Sequence, residues 1–278
     1  MDVESLIQDI VGNIKSVSGV KAIVLGGSRA RGTNTRSSDI DLGIYYNADH
    51  LLDLSELAKV ATRLDDENRK DLITAIGGWG PWINGGGWLR IKSFPVDFLY
   101  RDLDKVDGVI NSCLDGKVEI FYQPGHPYGF LSSIYVGETA ICQPLWDPEG
   151  AIAERKSKVF PYPIALQNAV IQKFAWEIDF SIGIAENGIE KADVAYAAGC
   201  CFRSVMCMLQ VLFALNKEYW LNEKGAVAIA SNFDIQPVNF QGRVNEIFRL
   251  LNAAPDSIHK SVTLLKELST DMSILLSR

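Results

Sequence analysis

The chain has 278 residues, 47% of them hydrophobic, and a formal net charge of -7. This length and composition predict a globular protein that buries a sizeable core, and the length suggests two domains. The acidic balance argues against a broad surface for long nucleic acid, because non-specific affinity for phosphate backbones comes mostly from clustered Lys and Arg.

The cysteines and the N-terminus predict a cytoplasmic protein. None of the five cysteines forms a C-x-x-C pair, so we expect reduced thiols in the core. The opening "MDVESLIQDIVGNIKSV" carries acids and helical periodicity, unlike a signal peptide. Since no stretch of about 18 uninterrupted apolar residues occurs, we expect no membrane span.

The first elements predict an α/β arrangement. Residues 3–17 place apolar residues at helical spacing, which indicates an amphipathic helix. "VKAIVLGG" is typical of a buried strand, "ARGTNTRSS" of a polar turn and "DIDLGIYY" of a second strand. The segment "DLSELAKVATRLDDENRKDLITAI" predicts a helix capped near Asp53 or Ser55.

A glycine-rich segment then leads into further strands. "GGWGPWINGGGWLRI" predicts a loop running into a strand at residues 88–91, and "FPVDFLY" a strand with Asp97 facing away from its apolar neighbours. Trp79, Trp82 and Trp88 could stack on a nucleobase or an aminocyclitol ring, or pack in the core. A lid over an acceptor site is a hypothesis for this loop.

Long helices dominate the rest of the chain. Two helix-length apolar runs begin at Ile164 and Ala192 and are separated by Asn187 and Gly188, and two further helices are expected near 241–253 and 256–276. We therefore predict an α+β fold, with an N-terminal domain of mixed sheet and helices on one side at residues 1–145. A helical bundle at residues 146–278 would follow it.

Three aspartates are candidate metal ligands. Asp39 and Asp41, two apart on a strand, share a face. Two carboxylates about 4 Å apart repel by about 1 kcal/mol in water and about 4 kcal/mol at an effective dielectric of about 20. Mg²⁺ relieves such repulsion and usually takes one or two carboxylates plus substrate phosphates. Asp97 completes the cluster if its strand lies beside theirs, and otherwise it is a water-facing acid.

The turn "VLGGS" is a candidate anion site. Backbone N–H groups at a helix start attract anions, glycine lets a phosphate approach closely, and Ser28 adds a hydroxyl; an ordinary strand-to-helix turn is the alternative. A Walker loop is excluded, because Thr33 and Asn34 follow Gly32 where Lys and Ser or Thr are needed.

A serine hydrolase is a second alternative for the same turn. Gly26-x-Ser28-x-Ala30 is a near miss to the nucleophile elbow, and Asp97 and His126 follow in the required order. A structural hydrogen bond is the other interpretation of His126, which lies in the turn "PGHPYG".

An apolar strand ending in Gly-Gly-Ser, then Asp-x-Asp on a strand, then a later strand with a third Asp resembles the DNA polymerase β-like nucleotidyltransferase superfamily. Residues 22–46 and 94–100 carry the resemblance. The helical second half resembles aminoglycoside nucleotidyltransferases and their bacterial relatives.

The resemblance implies roles for the candidate residues. Gly27 and Ser28 would hold the β- and γ-phosphates of an NTP, with Ser38 as a further nucleotide-binding candidate. Asp39 and Asp41 would bind Mg²⁺, and Asp97 would bind a second metal or take the proton from the attacking hydroxyl.

The expected reaction is transfer of an NMP group from an NTP to a hydroxyl of a small-molecule acceptor, such as an antibiotic-like aminocyclitol. Arg29, Arg31 and Arg36, or a cation of the helical half such as Lys173 or Arg203, could contact the triphosphate. A nucleotide-binding regulatory or antitoxin-like module with little turnover is the alternative.

Overall fold

The computed structural model describes residues 2–277, which form two compact units. The first contains the chain up to residue 112 together with 132–161, and the second contains 113–131 together with the chain from 162 onward. Residues 113–131 thus belong with the helical half. The division into domains near residue 145 stays a prediction.

The first unit is built around a five-stranded sheet. Its elements are α1 Val3–Ile14, β1 Ala22–Leu25, α2 Gly27–Arg31, β2 Ile40–Tyr46, α3 Leu54–Leu64, α4 Gly80–Ile83, β3 Gly86–Ile91, β4 Phe94–Asp102, α5 Leu103–Leu114, α6 Ser133–Ile141, β7 Gln143–Trp146 and α7 Ala151–Val159. The strand order in the sheet is β3-β4-β2-β1-β7. Strands β2 and β4 are parallel, and the other neighbouring pairs are antiparallel.

Alternation along the two central strands creates the core of this unit. Ile40, Leu42, Val96 and Phe98 have no solvent exposure, whereas the residues between them are partly exposed. The apolar sides of α1 and α3 pack on the same core. The expected fold, a mixed sheet with helices in the N-terminal part, is therefore confirmed.

Several predicted boundaries were wrong. The helix begins after Asp53 as expected but ends at Leu64 instead of continuing towards residue 76. Asp65 leaves the helical conformation, and its carboxylate accepts hydrogen bonds from the backbone N–H groups of Glu67 and Arg90. Strand β3 begins at Gly86 rather than Trp88, and the preceding loop contains the short helix α4.

The second unit is mainly helical. Two 22-residue helices, α8 (Ile164–Ala185) and α9 (Val194–Leu215), pack against each other, and α12 (Pro255–Leu276) contacts both. Its elements are β5 Ile120–Phe121, β6 Phe130–Leu131, α8 Ile164–Ala185, the 3-10 helix Glu186–Gly188, α9 Val194–Leu215, α10 Ala226–Ala230, α11 Phe240–Leu250 and α12 Pro255–Leu276. The helices expected near 241–253 and 256–276 are confirmed by α11 and α12.

The most apolar helix and the cysteines of the chain are buried in the protein. Among residues 2–277, one helix, Val194–Leu215, has the length and hydropathy of a membrane span, but 72% of its most apolar stretch is buried inside the protein. It is also where Cys200, Cys201 and Cys207 lie, and all five cysteines of the chain are buried. The sulfur-bearing stripe thus belongs to the helical core. A cytoplasmic location stays a prediction.

Candidate functional site

A row of candidate residues crosses the sheet of the first unit. Asp41 of β2 lies beside Asp97 of β4 in parallel register, and Asp97 lies beside Trp88 of β3 in antiparallel register. Residues paired in this way point to the same face of a sheet. Since Leu42 and Phe98 fill the core on the opposite face, Asp41, Asp97 and Trp88 share the face away from the core.

The Gly-Gly-Ser turn lies at the Asp41 end of this row. The backbone N–H of Gly26 donates to the Asp41 carbonyl oxygen at 2.8 Å. Gly27 has φ +59°, and a Cβ built on it would lie 1.9 Å from Oδ2 of Asp41. Only glycine fits at position 27, because a side chain would meet both a left-handed backbone and the carboxylate. Helix α2 begins here, which places Ser28 in its first turn.

Gly27→Ala should therefore move the Asp41 carboxylate. Gly32→Ala is a matched control, because Gly32 also has a positive φ, +78°, but a Cβ there would meet nothing within 4 Å. Each substitution should lower stability by about 1 kcal/mol through backbone strain. We expect only Gly27→Ala to weaken binding of a non-hydrolysable ATP analogue in Mg²⁺, by about 10-fold or more, measured by calorimetry. Equal affinities in the two variants would contradict this contact.

Asp39 and Ser38 lie in the connection that enters β2. Asp39 precedes the first strand residue and is exposed. The Arg29 guanidinium donates to the carbonyl oxygens of Ser38 at 2.6 Å and Asp39 at 2.9 Å. The Ser38 hydroxyl accepts from the backbone N–H of Thr35 at 2.9 Å. Arg29 and Ser38 thus fix this connection, and a role for either in nucleotide binding stays a prediction.

The Asp97 carboxyl lies near the negative charges of the other two aspartates. Burial raises the pKa of the Asp97 carboxyl to about 6, and the negative charges of Asp41 and Asp39 add to that rise. The charges of Asp41 and Asp39 therefore act on the Asp97 carboxyl. A cation between Asp41 and Asp97 would favour their charged forms.

The fit to a metal depends on two adjacent carboxylates. Within residues 2–277, no group of three His, Cys, Asp or Glu side chains is arranged to hold a metal ion. Asp39 lies before the strand and in solvent, so the predicted three-carboxylate cluster is not preformed. Asp41 and Asp97 nevertheless suit Mg²⁺, which usually takes one or two carboxylates plus substrate phosphates and water.

Two of the three loop tryptophans form a stack at the other end of the row. The Trp79 and Trp88 rings lie 4.5 Å apart with an interplanar angle of 21°. Trp88 is 63% exposed. A Cβ on Gly86 would lie 2.8 Å from the Trp79 ring, so this glycine makes room for the stack. Trp82 instead packs edge-on against Tyr135, so the core-packing interpretation applies to Trp82 and not to Trp88.

The glycine-rich loop is held by side chains at successive carbonyls. Lys105 donates to the carbonyl of residue 81, Tyr135 to that of residue 82 at 2.6 Å, and Arg101 to that of residue 83 at 2.8 Å. Arg101 is itself buried and paired with the Glu138 carboxylate at 2.7 Å. These contacts favour a fixed wall over the lid that glycine content alone suggested.

The acid and the histidine of the serine-hydrolase alternative each have local partners. The His126 ring contacts the Glu223 carboxylate at 3.2 Å, and the same carboxylate accepts from the backbone N–H of Tyr128 at 2.9 Å. Asp97 instead has Asp41 and Trp88 as its strand neighbours. The structural interpretation of His126 therefore fits these contacts.

The cations of the helical half have local partners. The Arg203 guanidinium pairs with the Glu177 carboxylate and lies 5.5 Å from the centre of the Tyr128 ring. The Lys173 ammonium lies 6.0 Å from the centre of the Phe174 ring. A contact between one of these cations and a triphosphate stays a prediction.

Comparison with known proteins bears on the first half of the chain. Residues 7–76 match the family model described as a nucleotidyltransferase domain. A solved structure of a nucleotidyltransferase-like protein from Exiguobacterium sibiricum 255-15 is similar over 97% of this chain and 78% of that chain, with 8% identity and a TM-score of 0.45. No curated protein matches the chain.

Residues 7–76 therefore match a nucleotidyltransferase domain, and a helical region follows towards the C-terminus. The matched range contains the Gly-Gly-Ser turn, Asp39 and Asp41, and it ends before the strand of Asp97. This domain supports transfer of an NMP group in general. The aminoglycoside-type subfamily stays a prediction.

Proposed function

We propose that the protein is a Mg²⁺-dependent nucleotidyltransferase that moves an NMP group from an NTP to a hydroxyl of a small-molecule acceptor and releases pyrophosphate. The observation that carries the proposal is the pairing of Asp41 and Asp97 on adjacent strands, with Gly27 so close that a Cβ there would lie 1.9 Å from Oδ2 of Asp41. Anion-binding backbone beside paired carboxylates is what a triphosphate with a divalent metal requires.

Each candidate site residue has a distinct role in this proposal. The backbone of Gly27 and the hydroxyl of Ser28 hold the β- and γ-phosphates, and Ser38 keeps the neighbouring connection in shape. Asp39 and Asp41 would hold Mg²⁺, which would supply charge neutralisation for the transferring phosphoryl group. Asp97 would either hold a second metal or accept the proton of the attacking hydroxyl. Catalysis then consists mainly of positioning and charge neutralisation.

The acceptor follows from the charge of the chain. A formal net charge of -7 disfavours long RNA, because phosphate backbones bind clustered cations. A small polyhydroxylated molecule, such as an aminocyclitol, has no such requirement, and its ammonium groups complement an acidic surface. A hydroxyl on a protein is the other class of acceptor that the proposal allows.

Nucleotide binding and turnover can be separated by experiment. We expect a non-hydrolysable ATP analogue to bind in Mg²⁺ and to lose about 10-fold or more in affinity in EDTA, measured by calorimetry. We also expect pyrophosphate release from ATP in a panel of hydroxyl acceptors. Metal-dependent binding with no release from any acceptor would favour a regulatory module instead. Activity that persists in EDTA, with fluorophosphonate labelling of Ser28, would favour a hydrolase.

A further inference from the structure

We propose that Trp88, supported by Trp79, is the platform on which a ring of the acceptor stacks during transfer. This inference rests on the proposed function and adds the binding mode and chemical class of the acceptor. It starts from an exposed aromatic ring, since Trp88 is 63% exposed and lies in β3, an edge strand of the five-stranded sheet. A large aromatic face left open beside a polar site is typical of a binding surface.

The position of Trp88 in the row identifies what it binds. The order across the sheet is the Gly-Gly-Ser turn, Asp41, Asp97 and then Trp88. Neighbouring strands lie about 4.8 Å apart, so the Trp88 backbone is about 5 Å from that of Asp97 and about 10 Å from that of Asp41. Trp88 therefore lies beyond the carboxylates, on the side away from the turn proposed to hold the β- and γ-phosphates.

The geometry of phosphoryl transfer then assigns this side to the acceptor. The attacking and leaving oxygens lie roughly in line through the phosphorus atom, so the acceptor approaches from the side opposite to the leaving pyrophosphate. With pyrophosphate at Gly27 and Ser28, the acceptor hydroxyl lies near Asp97 and the rest of the acceptor lies over Trp88. A nucleobase is not required to lie in line with the pyrophosphate, so this position favours the acceptor over the base.

Contacts within the first unit hold the platform in place. The Trp79 ring covers one face of the Trp88 ring and lies close to Gly86. The Trp79 backbone N–H donates to the Asn84 carbonyl oxygen at 3.1 Å. The Asn84 amide in turn donates to the Tyr46 hydroxyl at 3.0 Å. A ligand that stacks here therefore loses little free energy to ordering of the protein.

The chemistry of the platform specifies a ring with an apolar face. The C–H face of a cyclitol or hexose can cover the indole, while hydroxyls at the ring edge point towards Asp97. An open-chain polyol offers the same hydroxyls but must lose more conformational freedom to present a flat face. We therefore infer that the acceptor is a ring compound.

Saturation-transfer NMR tests whether a ring compound stacks on Trp88. The probes are neutral, so that attraction between ammonium groups and the aspartates does not contribute to binding. The ring probe is scyllo-inositol, whose equatorial hydroxyls leave C–H groups on both faces, and the control probe is sorbitol, an open-chain polyol with the same number of hydroxyls. The protein is saturated with Mg²⁺ and a non-hydrolysable ATP analogue. We expect saturation of the ring C–H protons in the wild type, and little for sorbitol.

Three variants localise the contact. Trp88→Ala should weaken scyllo-inositol binding by about 3- to 10-fold, and Trp88→Phe, which keeps a flat ring, should recover part of the loss. Trp176→Ala is the matched control, because Trp176 is 62% exposed in the second unit, and it should change nothing. Calorimetry with the ATP analogue should give the same affinity for all four proteins.

Distinct results would overturn this inference and the proposed function. A wild type that binds the ATP analogue but not scyllo-inositol, or that binds sorbitol equally well, would overturn the platform alone. Weaker binding of the ATP analogue to Trp88→Ala, with the ring probe unaffected, would make Trp88 a nucleobase contact and overturn the acceptor role. A wild type that fails to bind the analogue in Mg²⁺ would overturn the proposed function, and the acceptor role with it.

Discussion

Asp97→Asn is expected to slow nucleotidyl transfer by about 10²-fold or more without lowering the thermal midpoint. In the proposed mechanism the substitution removes either a metal ligand or a proton acceptor, and a loss of several kcal/mol of transition-state stabilisation corresponds to such a factor. Stability should stay level or rise, because the Asp97 carboxylate lies beside Asp41 and is partly buried. A neutral amide removes that repulsion.

The opposite directions of these effects separate a catalytic role from a structural one. Rates would be measured as pyrophosphate release with saturating Mg²⁺, and midpoints by thermal unfolding without metal. Asp39→Asn should also slow transfer by about 10²-fold, whereas Asp49→Asn, in the exposed turn after β2, should change neither quantity. Near-normal turnover of Asp97→Asn would contradict the proposed chemistry, and a lower midpoint would indicate a structural carboxylate.

Local pattern sufficed for the central strands. In "DIDLGIYY" every second residue is apolar from Ile40 to Ile44, and in "FPVDFLY" from Val96 to Tyr100. Burial of one face of the sheet places these residues in the core. Ile40, Leu42, Val96 and Phe98 are accordingly buried. The same alternation predicted that Asp41 and Asp97 would face away from the core.

Pairing between distant segments was not predictable in the same way. Strand β7, Gln143–Trp146, pairs with β1 across more than a hundred residues, and its sequence "QPLW" has no alternation. The helix after Asp53 stops at Leu64 because the next two aspartates bind the β3–β4 hairpin, a partner that propensity does not include.

In the candidate site, too, local motifs could be predicted and contacts between distant segments could not. The Gly-Gly-Ser turn and the Asp-x-Asp pair are local motifs, so the sequence could identify them. The registers of β2, β4 and β3 place Asp97 between Asp41 and Trp88. From the sequence we could say only that Asp97 joins the other aspartates if its strand lies beside theirs. The difference between Trp88, which is exposed, and Trp82, which packs on Tyr135, likewise arises from tertiary contacts.

The β3–β4 hairpin, which carries both Trp88 and Asp97, is held by two acids that follow α3. The hairpin turn places Lys92 and Ser93 at φ +51° and +69°, a conformation that normally favours Gly or Asn. The Asp66 carboxylate accepts hydrogen bonds from both of their backbone N–H groups, at 2.6 and 2.8 Å. The acids thus compensate for a turn sequence that is unfavourable by itself.

Asp65→Ala is therefore expected to lower the free energy of unfolding by about 3 kcal/mol. Asp65 is 3% exposed, and its carboxylate accepts from the Arg69 guanidinium at 2.6 and 3.0 Å and from the backbone N–H groups of Glu67, Arg69 and Arg90. Alanine leaves these donors without their acceptor. Urea denaturation measures the loss, and hydrogen exchange should rise most in β3.

The pH dependence of this loss identifies its electrostatic origin. The Arg69 guanidinium, assisted by the backbone donors, holds the pKa of Asp65 well below its ordinary value. A lowered folded-state pKa gives stabilisation that is fully present above the unfolded value of about 3.9 and is lost as the pH falls towards the folded value. The difference between wild type and Asp65→Ala should thus be full at about pH 7 and shrink below about pH 4.

Glu67→Ala is the matched control, because Glu67 is an exposed acid in the same connection and should change stability by about 0.5 kcal/mol or less. A loss for Asp65→Ala that stays constant with pH would mean that shape rather than charge fixes this connection. A loss as small as that of Glu67→Ala would mean that the hairpin holds Trp88 and Asp97 in place without it.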